Sequence, residues 1–235
     1  MRLHRFYISQ PLGEEVVIED VSLVSQLTKV FRYTQGDFII LFNGDGNDYC
    51  YSITDLTKKT VACTRTKTTP SYIPTQKITL CMSVIRKDTF ELVVQKATEL
   101  GVTTIVPIMT LRSEKKNLSF ERLEKIIIEA SEQCGRGDIP VITPITTLDS
   151  VLVQPADAHV RVMLHMGEES LLSKREELMQ KAKNSSLVLF IGPEGGWDDD
   201  EIHLMKTHNV HSCSLGKTVL RAETAAIVAV SVFCI

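Results

Sequence analysis

No apolar run in this chain reaches the roughly 18–20 residues that a membrane-spanning helix needs. Its first residues, MRLHRFYISQ, carry charge early and lack the apolar core of a secretory signal, so no membrane and a cytoplasmic setting are expected. The six cysteines, at positions 50, 63, 81, 134, 213 and 234, form no CxxC and no Cys/His cluster at zinc spacing. Disulfide frameworks belong to short secreted chains, so free thiols and no structural metal are expected. Internal repeats and low-complexity tracts are also missing, which excludes solenoid and disordered classes. The net charge is only −3, which by itself argues against a broadly basic nucleic-acid binder. What remains is ordinary globular composition, 43% hydrophobic and 23% charged over 235 residues, enough for one large domain or two modest ones.

The charge is unevenly spread. Residues 1–76 carry 8 basic and 8 acidic side chains, residues 77–125 a net of +3, and residues 126–235 a net of −6. Three runs are locally basic: Arg2, His4 and Arg5; Lys58, Lys59, Arg65 and Lys67; and Arg112, Lys115 and Lys116. They are either a phosphate-binding face in pieces or ordinary solvated side chains.

Patterning divides the chain in two. Residues 1 to about 70 contain short runs rich in Val, Ile, Phe and Tyr (EEVVIED, DFIILF, DYCYSI) broken by glycine and asparagine turns, which predicts a small β-barrel. One or two helical turns are predicted near residues 22–31, and TKTTPSYIPTQK (66–77) has a linker composition. Beyond it, strand-like KITLCMSVI, VTTIVPIMT, HVRVMLHM, SSLVLFIG and NVHSCSLG are separated by amphipathic helical segments, and ETAAIVAVSVFCI predicts a buried terminal helix. Alternating strands and helices imply a mostly parallel sheet covered on both faces. The expectation is a β-barrel module at 1–72 and an α/β domain at 75–235.

Open α/β sheets bind ligands at the carboxyl ends of their strands, so the strand endings carry the functional signal. Gly192-Pro193-Glu194-Gly195-Gly196-Trp197 follows SLVLFI, and four acids from Asp198 to Glu201 open the next helix. Either a tight strand-to-helix turn or a loop whose backbone approaches a ligand satisfies that composition. It is not a P-loop, since no GK[ST] follows, nor a GxGxxG fingerprint, and the acids suit a helix N-terminus and would repel a phosphate. A second ending, Ser214-Leu215-Gly216-Lys217-Thr218-Val219-Leu220-Arg221-Ala222-Glu223, places Arg221 where a helix begins, either salt-bridged to Glu194 or Glu223 or fixed to face a site. A third, weaker ending is Leu164-His165-Met166-Gly167.

IGPEGGWDDDEI followed by SLGKTVLRAETAAI resembles the paired cofactor loops of the SPOUT methyltransferases, and more narrowly the RsmE family of 16S rRNA (uracil-N3) methyltransferases. MRLHRFYI, QLTKVFRYTQGD with LFNGDG, KATELGVTTIVPIMTLRS and ASEQCGRGDIPVI resemble the same family, so the likeness covers most of the chain. The resemblance implies an N-terminal PUA-like β-barrel, a C-terminal α/β domain with a deep trefoil knot, S-adenosyl-L-methionine as cofactor, and a homodimer with the site near the subunit interface.

By that likeness the cofactor would lie among Leu164, His165, Gly167, Ile191, Gly192, Pro193, Glu194, Gly195, Gly196, Ser214, Leu215, Gly216, Val219 and Leu220. A cradle of backbone and apolar groups suits a sulfonium and a neutral adenine better than a phosphate clamp does. Arg221 would stabilise the anion that develops when a uracil N3–H loses its proton, and Glu223, or water, would accept that proton. The RNA, 16S rRNA of the 30S subunit, would be held by Arg2, His4, Arg5, Arg32, Arg112, Lys115, Lys116 and Arg136. Three competing expectations are ribose 2′-O-methylation by the same kind of fold, a non-catalytic RNA-binding assembly factor, and a nucleotide-phosphate enzyme built on the GPEGG loop.

Overall fold

The computed structural model describes residues 3–113, 117–153, 159–183 and 185–234. The chain divides into two compact units, residues 1–73 with 131–139, and residues 74–130 with 140–235.

The first unit is a five-stranded sheet in the order β1-β3-β4-β5-β2, formed by β1 (Arg5–Tyr7), β2 (Glu15–Ile18), β3 (Phe38–Phe42), β4 (Asn47–Leu56) and β5 (Val61–Pro70). All pairings are antiparallel except β1 with β3. Alternation sets which side chains face inward: in β2, Val16 and Ile18 are buried while Glu15 and Val17 are exposed. They join Phe6, Ile39, Leu41, Tyr51, Ile53 and Val61 in one core. Tyr51 satisfies its buried hydroxyl by donating to the Gly13 carbonyl at 2.6 Å. Asp20 caps the short helix α1 (Val21–Ser25), which runs on into a π-helical turn over Gln26–Val30. The linker expected over 66–77 is partly strand: Thr66 to Pro70 continue β5, because the long β4 offers them partners as far as Asn47.

The second unit holds a parallel sheet in the order β12-β10-β11-β6-β7-β8. Its strands are β6 (Ile78–Ser83), β7 (Thr104–Met109), β8 (Val141–Ile142), β9 (Thr146–Thr147, paired with β7), β10 (His159–Leu164), β11 (Ser186–Ile191) and β12 (His211–Cys213). The central strands are buried along almost their whole length, as continuous apolar runs require when helices cover both faces. The helices are α2 (Lys87–Glu99), α3 (Phe120–Cys134), α4 (Leu148–Leu152), α5 (Leu171–Lys181), α6 (Asp199–Thr207) and α7 (Ala222–Cys234). In α2, Phe90, Val93, Val94 and Ala97 make the buried stripe, and Gly101 ends it at φ +96, a conformation a side chain would strain. The terminal helix α7 packs Ala226, Ala229, Val230 and Phe233 inward and contacts α2 and α5.

This is the expected α/β class with a mostly parallel sheet and a small, curled β-sheet unit before it. Chain order reverses between β6 and β11. From β6 the chain moves outward to β7 and β8, then returns to the far side, where β11 lies between β10 and β6. Such a switch point opens a crevice at the carboxyl ends of the strands.

Candidate active site

A cavity of about 750 Å³ lies at that place. It is lined from the ends of β10 (Leu164, His165, Met166) and β11 (Ile191 to Trp197), and from the segment after β12 (Leu215, Thr218 to Glu223, with Ala225). Arg86 and Thr89, beyond β6, and Arg112, beyond β7, complete it. Five strands that are far apart in sequence thus deliver their carboxyl ends to one site.

The GPEGGW loop is shaped by its tryptophan. Trp197 is 5% exposed and donates its Nε1–H to the Leu164 carbonyl at 3.0 Å, joining the first ending to the third. A Cβ on Gly192 would sit 3.1 Å from the Trp197 ring, closer than side chains usually pack, so glycine lets the ring lie against the strand end without displacement. Gly196, at φ +71, closes the turn by donating its N–H to the Pro193 carbonyl at 2.9 Å. The acid run then acts locally. Asp198 caps α6, and Glu201 reaches back to the Asp198 N–H at 2.9 Å, a reciprocal capping box. The other oxygen of the buried Glu201 accepts from the Leu111 N–H at 2.9 Å, which ties the end of β7 to the start of α6.

Arg112 pins the loop from the other side. Its guanidinium donates to the Gly195 carbonyl at 3.1 Å, the Trp197 carbonyl at 3.3 Å and the Asp198 carboxylate at 2.9 Å. Its position in the sequence had suggested an RNA grip, but its three bonds go to the cofactor-type loop.

The segment after β12 is held at its root and open at its tip. Ser214 is buried. Its N–H donates to the Glu169 carbonyl and its hydroxyl to the Glu168 carbonyl, so it anchors the segment and does not line the cavity. Gly167 (φ +80) and Gly216 (φ +136) also lie outside the lining, each serving a turn that favours glycine. From Leu215 to Arg221, among the described residues, no backbone N–H donates to another backbone group. The strip therefore offers unspent donors next to apolar Leu215, Val219 and Leu220, a combination that fits a neutral heterocycle. Arg221 and Glu223 enter the cavity from the start of α7. Neither expected salt bridge of Arg221 forms: among the described residues its side chain makes no ion pair with Glu194, Glu223 or any other acid.

Eleven of the fourteen expected cofactor residues line the cavity, as do both expected catalytic residues. The residues that sequence reasoning missed are Arg86, Thr89, Met166, Trp197, Thr218, Ala222 and Ala225. Applying the strand-ending rule to KITLCMSVI would have exposed Arg86, and Trp197 was already the last letter of the loop motif.

The expected RNA contacts fall into three groups. Arg2, Lys115 and Lys116 lie outside the described residues. Arg5 and Arg136 belong to the interior of the first unit. Arg5 makes a forked contact with Asp48 at 2.7–3.1 Å, donates to the carbonyls of Ser131 and Arg136, and lies 4.1 Å from the centre of the Phe42 ring. Arg136, 2% exposed, pairs with Asp138 at 2.8 Å. Guanidiniums so buried and so fully engaged hold the unit together and have little left for RNA. His4 and Arg32 remain at the surface. His4 lies 4.3 Å from the Phe31 ring at a 45° tilt and bonds to the Tyr33 hydroxyl at 2.7 Å, and Arg32, between Phe31 and Tyr33 in the sequence, is in the left-handed region at φ 55.

Among the described residues no cluster of three or more His, Cys, Asp or Glu is placed to hold a metal, and no helix is long and apolar enough to cross a membrane. None of the six cysteines is in a disulfide.

The comparisons with known proteins bear on this geometry. A family model described as an RNA methyltransferase domain matches residues 72–234, and one described as an RNA methyltransferase PUA domain matches residues 27–64. The ribosomal RNA small subunit methyltransferase E of Rickettsia conorii is 32% identical over 98% of this chain and 95% of its own. The chain belongs to the ribosomal RNA small subunit methyltransferase E family. A relative of the same name from Bacillus subtilis is 30% identical over 88% of this chain and 85% of its own. Two solved structures share the fold across nearly the whole chain. A methyltransferase from Legionella pneumophila in complex with bound S-adenosylmethionine has a TM-score of 0.88 and 32% identity, covering 99% of this chain and 97% of its own. The family member from Neisseria gonorrhoeae, bound to S-adenosyl methionine, has a TM-score of 0.86 and 26% identity, covering 97% and 95%.

Proposed function

We propose that this chain transfers the methyl group of S-adenosyl-L-methionine to N3 of a uridine in 16S rRNA of the small ribosomal subunit. The carrying observation is the convergence of the GPEGGW loop, the open backbone strip 215–221 and the unpaired Arg221 on one cavity. In this reading residues 1–72 bind RNA and residues 75–235 hold the cofactor and do the chemistry. The insertion of β11 between β6 and β10, with the strip returning to the same cavity, supports the knotted chain path that the family resemblance implies. Exposed Leu111 and Val219, at 71% and 82%, beside the cavity support its burial against a second subunit of a homodimer. A ribosomal substrate supports a cytoplasmic setting.

The cavity suits the cofactor. Its volume falls within the roughly 300–1,000 Å³ usual for small-molecule sites, and its walls are glycine, aliphatic side chains and free backbone donors. Leu164, Ile191, Leu215 and Leu220 would enclose the adenine, the strip N–H groups would meet its polar edge, and exposed Glu194 would offset the positive charge. When bound, S-adenosylmethionine supplies an electrophilic methyl group on a sulfonium.

The chain's residues must then make N3 nucleophilic. The half-buried Glu223 carboxylate takes the N3 proton, so that the N3 lone pair could form the new N–C bond while the electron pair of the S–C bond would remain on sulfur. Arg221 stabilises negative charge on the uracil carbonyl oxygens as it develops. A target base inside structured RNA must first turn out of its stack.

The test is methyl transfer from labelled S-adenosylmethionine to 30S subunits lacking the modification, followed by nucleoside mass spectrometry. Appearance of 3-methyluridine is expected. A 2′-O-methylated nucleoside would move the chemistry to ribose. Arg221→Ala is expected to lower kcat by about 10²–10³ with cofactor affinity largely intact. Equal loss of both would assign Arg221 to the cofactor pocket.

A further inference from the structure

Three arginines line the cavity, and they are not equivalent. Arg112 is spent on the GPEGGW loop. Arg221, also exposed, lies between Leu220 and Ala222, two residues before the half-buried Glu223. Arg86 stands at the junction of β6 and α2, with Lys87 exposed beside it and Thr89 facing the same cavity. Its single ion-pair partner among the described residues is Asp88, at 3.8 Å, with side chains 63% and 85% exposed. A pair so long and so wet contributes little and exchanges readily.

The charges make this arrangement informative. The proposed cofactor carries a sulfonium and an ammonium against one carboxylate, so it adds net positive charge to the site. Glu194 and Glu223 also line the cavity, yet neither pairs with Arg86 or Arg221. Two guanidiniums, one without an ion pair and one held only loosely by Asp88, repel one another and a cationic ligand until an anion arrives. A nucleotide brings two demands: a base that becomes anionic as it reacts and a phosphodiester that is anionic throughout. The base needs a cation with a carboxylate and an aliphatic side chain close by, and Arg221 lies with Glu223 and Leu220. The phosphate keeps part of its hydration and suits the exposed rim, where Arg86 lies with Thr89.

We propose that Arg86 binds a backbone phosphate of the target nucleotide, so that the cavity holds the base at Arg221 and its phosphate at Arg86. This rests on the RNA methyltransferase reading above, and it assigns to the catalytic unit itself a grip that the basic runs of the sequence had placed elsewhere.

The test compares the full-length chain with Arg86→Ala and Arg86→Lys, after thermal melting shows all three folded. Three quantities are read: cofactor affinity by calorimetry, kcat and KM with unmodified 30S subunits, and the salt dependence of equilibrium binding to 16S rRNA. For Arg86→Ala, KM is expected to rise roughly tenfold to a hundredfold, the loss of one charged hydrogen-bonded contact, with kcat and cofactor affinity within about twofold. The slope of log affinity against log salt should become shallower by about one. Arg86→Lys should restore the slope and recover only part of the KM, since an ammonium lacks the planar fork. An unchanged KM and slope overturns the proposal. So does a parallel loss of cofactor affinity, which would place Arg86 on the cofactor's carboxylate, or a fall in kcat alone, which would place it at the base. Should the wild-type chain transfer no methyl group, the methyltransferase reading fails, while the salt slope still decides the phosphate contact.

Discussion

Replacing Arg112 with alanine separates two roles that its sequence position confuses. The side chain makes two hydrogen bonds to carbonyls of the GPEGGW loop and one ion pair with Asp198. The ion pair is 48% and 29% exposed, so solvent screens it to about 0–1 kcal/mol. Each carbonyl bond from a charged donor is worth up to about 1.5–3 kcal/mol when buried, and these are partly exposed. A loss of about 1–3 kcal/mol of loop order follows, less than the separate terms would suggest because they act on one short segment. The α6 cap survives, since Asp198 still accepts from the Asp200 N–H and Glu201 still reaches the Asp198 N–H. The expected outcome is therefore specific: S-adenosylmethionine affinity falls about 5- to 150-fold by calorimetry, while the denaturation midpoint moves little. Arg112→Lys should recover little, because one ammonium cannot serve three acceptors in a fork. Unchanged cofactor affinity with a raised KM for 30S subunits would refute the reasoning and return Arg112 to the RNA-binding role its sequence suggested.

Three further outcomes follow from the geometry. Gly195→Val should weaken S-adenosylmethionine binding measured by calorimetry, because even a Cβ there lies 3.3 Å from Arg112 Cβ and valine adds two methyl groups; normal affinity would show that the loop is not a cofactor wall. Arg5→Ala should lower stability by about 3–5 kcal/mol in urea unfolding, since it leaves Asp48 unpaired in a part-buried setting; normal stability with weakened RNA binding would make Arg5 a grip after all. Burial, reinforced by Arg161 for His159 and Lys181 for His211, holds both imidazoles below the ordinary histidine value of about 6.5. The unfolded chain then takes up protons that the folded chain refuses as pH falls through that value, so the melting temperature should drop between pH 7.5 and 5.5, and the double variant His159→Gln, His211→Gln should flatten the drop.

Much of the second unit was legible because its signals are local. The runs TLCMS, VRVML and LVLFI are long enough and apolar enough to be buried strands, and GPEGGW follows one of them directly. The strand endings singled out in the sequence meet at one cavity because a parallel sheet aligns all its carboxyl ends on one edge. The failures are non-local. TKTTPSYIPTQK reads as a linker until β4 proves long enough to pair with its first half. Nothing near Ser131–Ile139 shows that the segment belongs with the first sixty or so residues; that follows from Arg5 bonding to the Ser131 carbonyl and the Gly46 N–H to the Gly137 carbonyl. Likewise the basic start of the chain suggested an RNA grip because the partner of Arg5, Asp48, lies 43 residues away.

The arginines show why charge counting could not settle the site. Arg5 and Arg136 are consumed in the core of the first unit, Arg112 is consumed in shaping a loop, and Arg86 and Arg221 stand at one cavity with nothing firm to hold. The sequence presents all five as the same charge. Only their surroundings distinguish them, because a guanidinium already bound to carboxylates and carbonyls must break those bonds to meet RNA, whereas an unpaired one gains by doing so. Substrate contacts in this chain should therefore be sought first where a cation faces a cavity and lacks a close partner. By that criterion the proposed hold on the nucleotide falls in the second unit, at Arg86 and Arg221, and not at the buried arginines of the β-sheet unit.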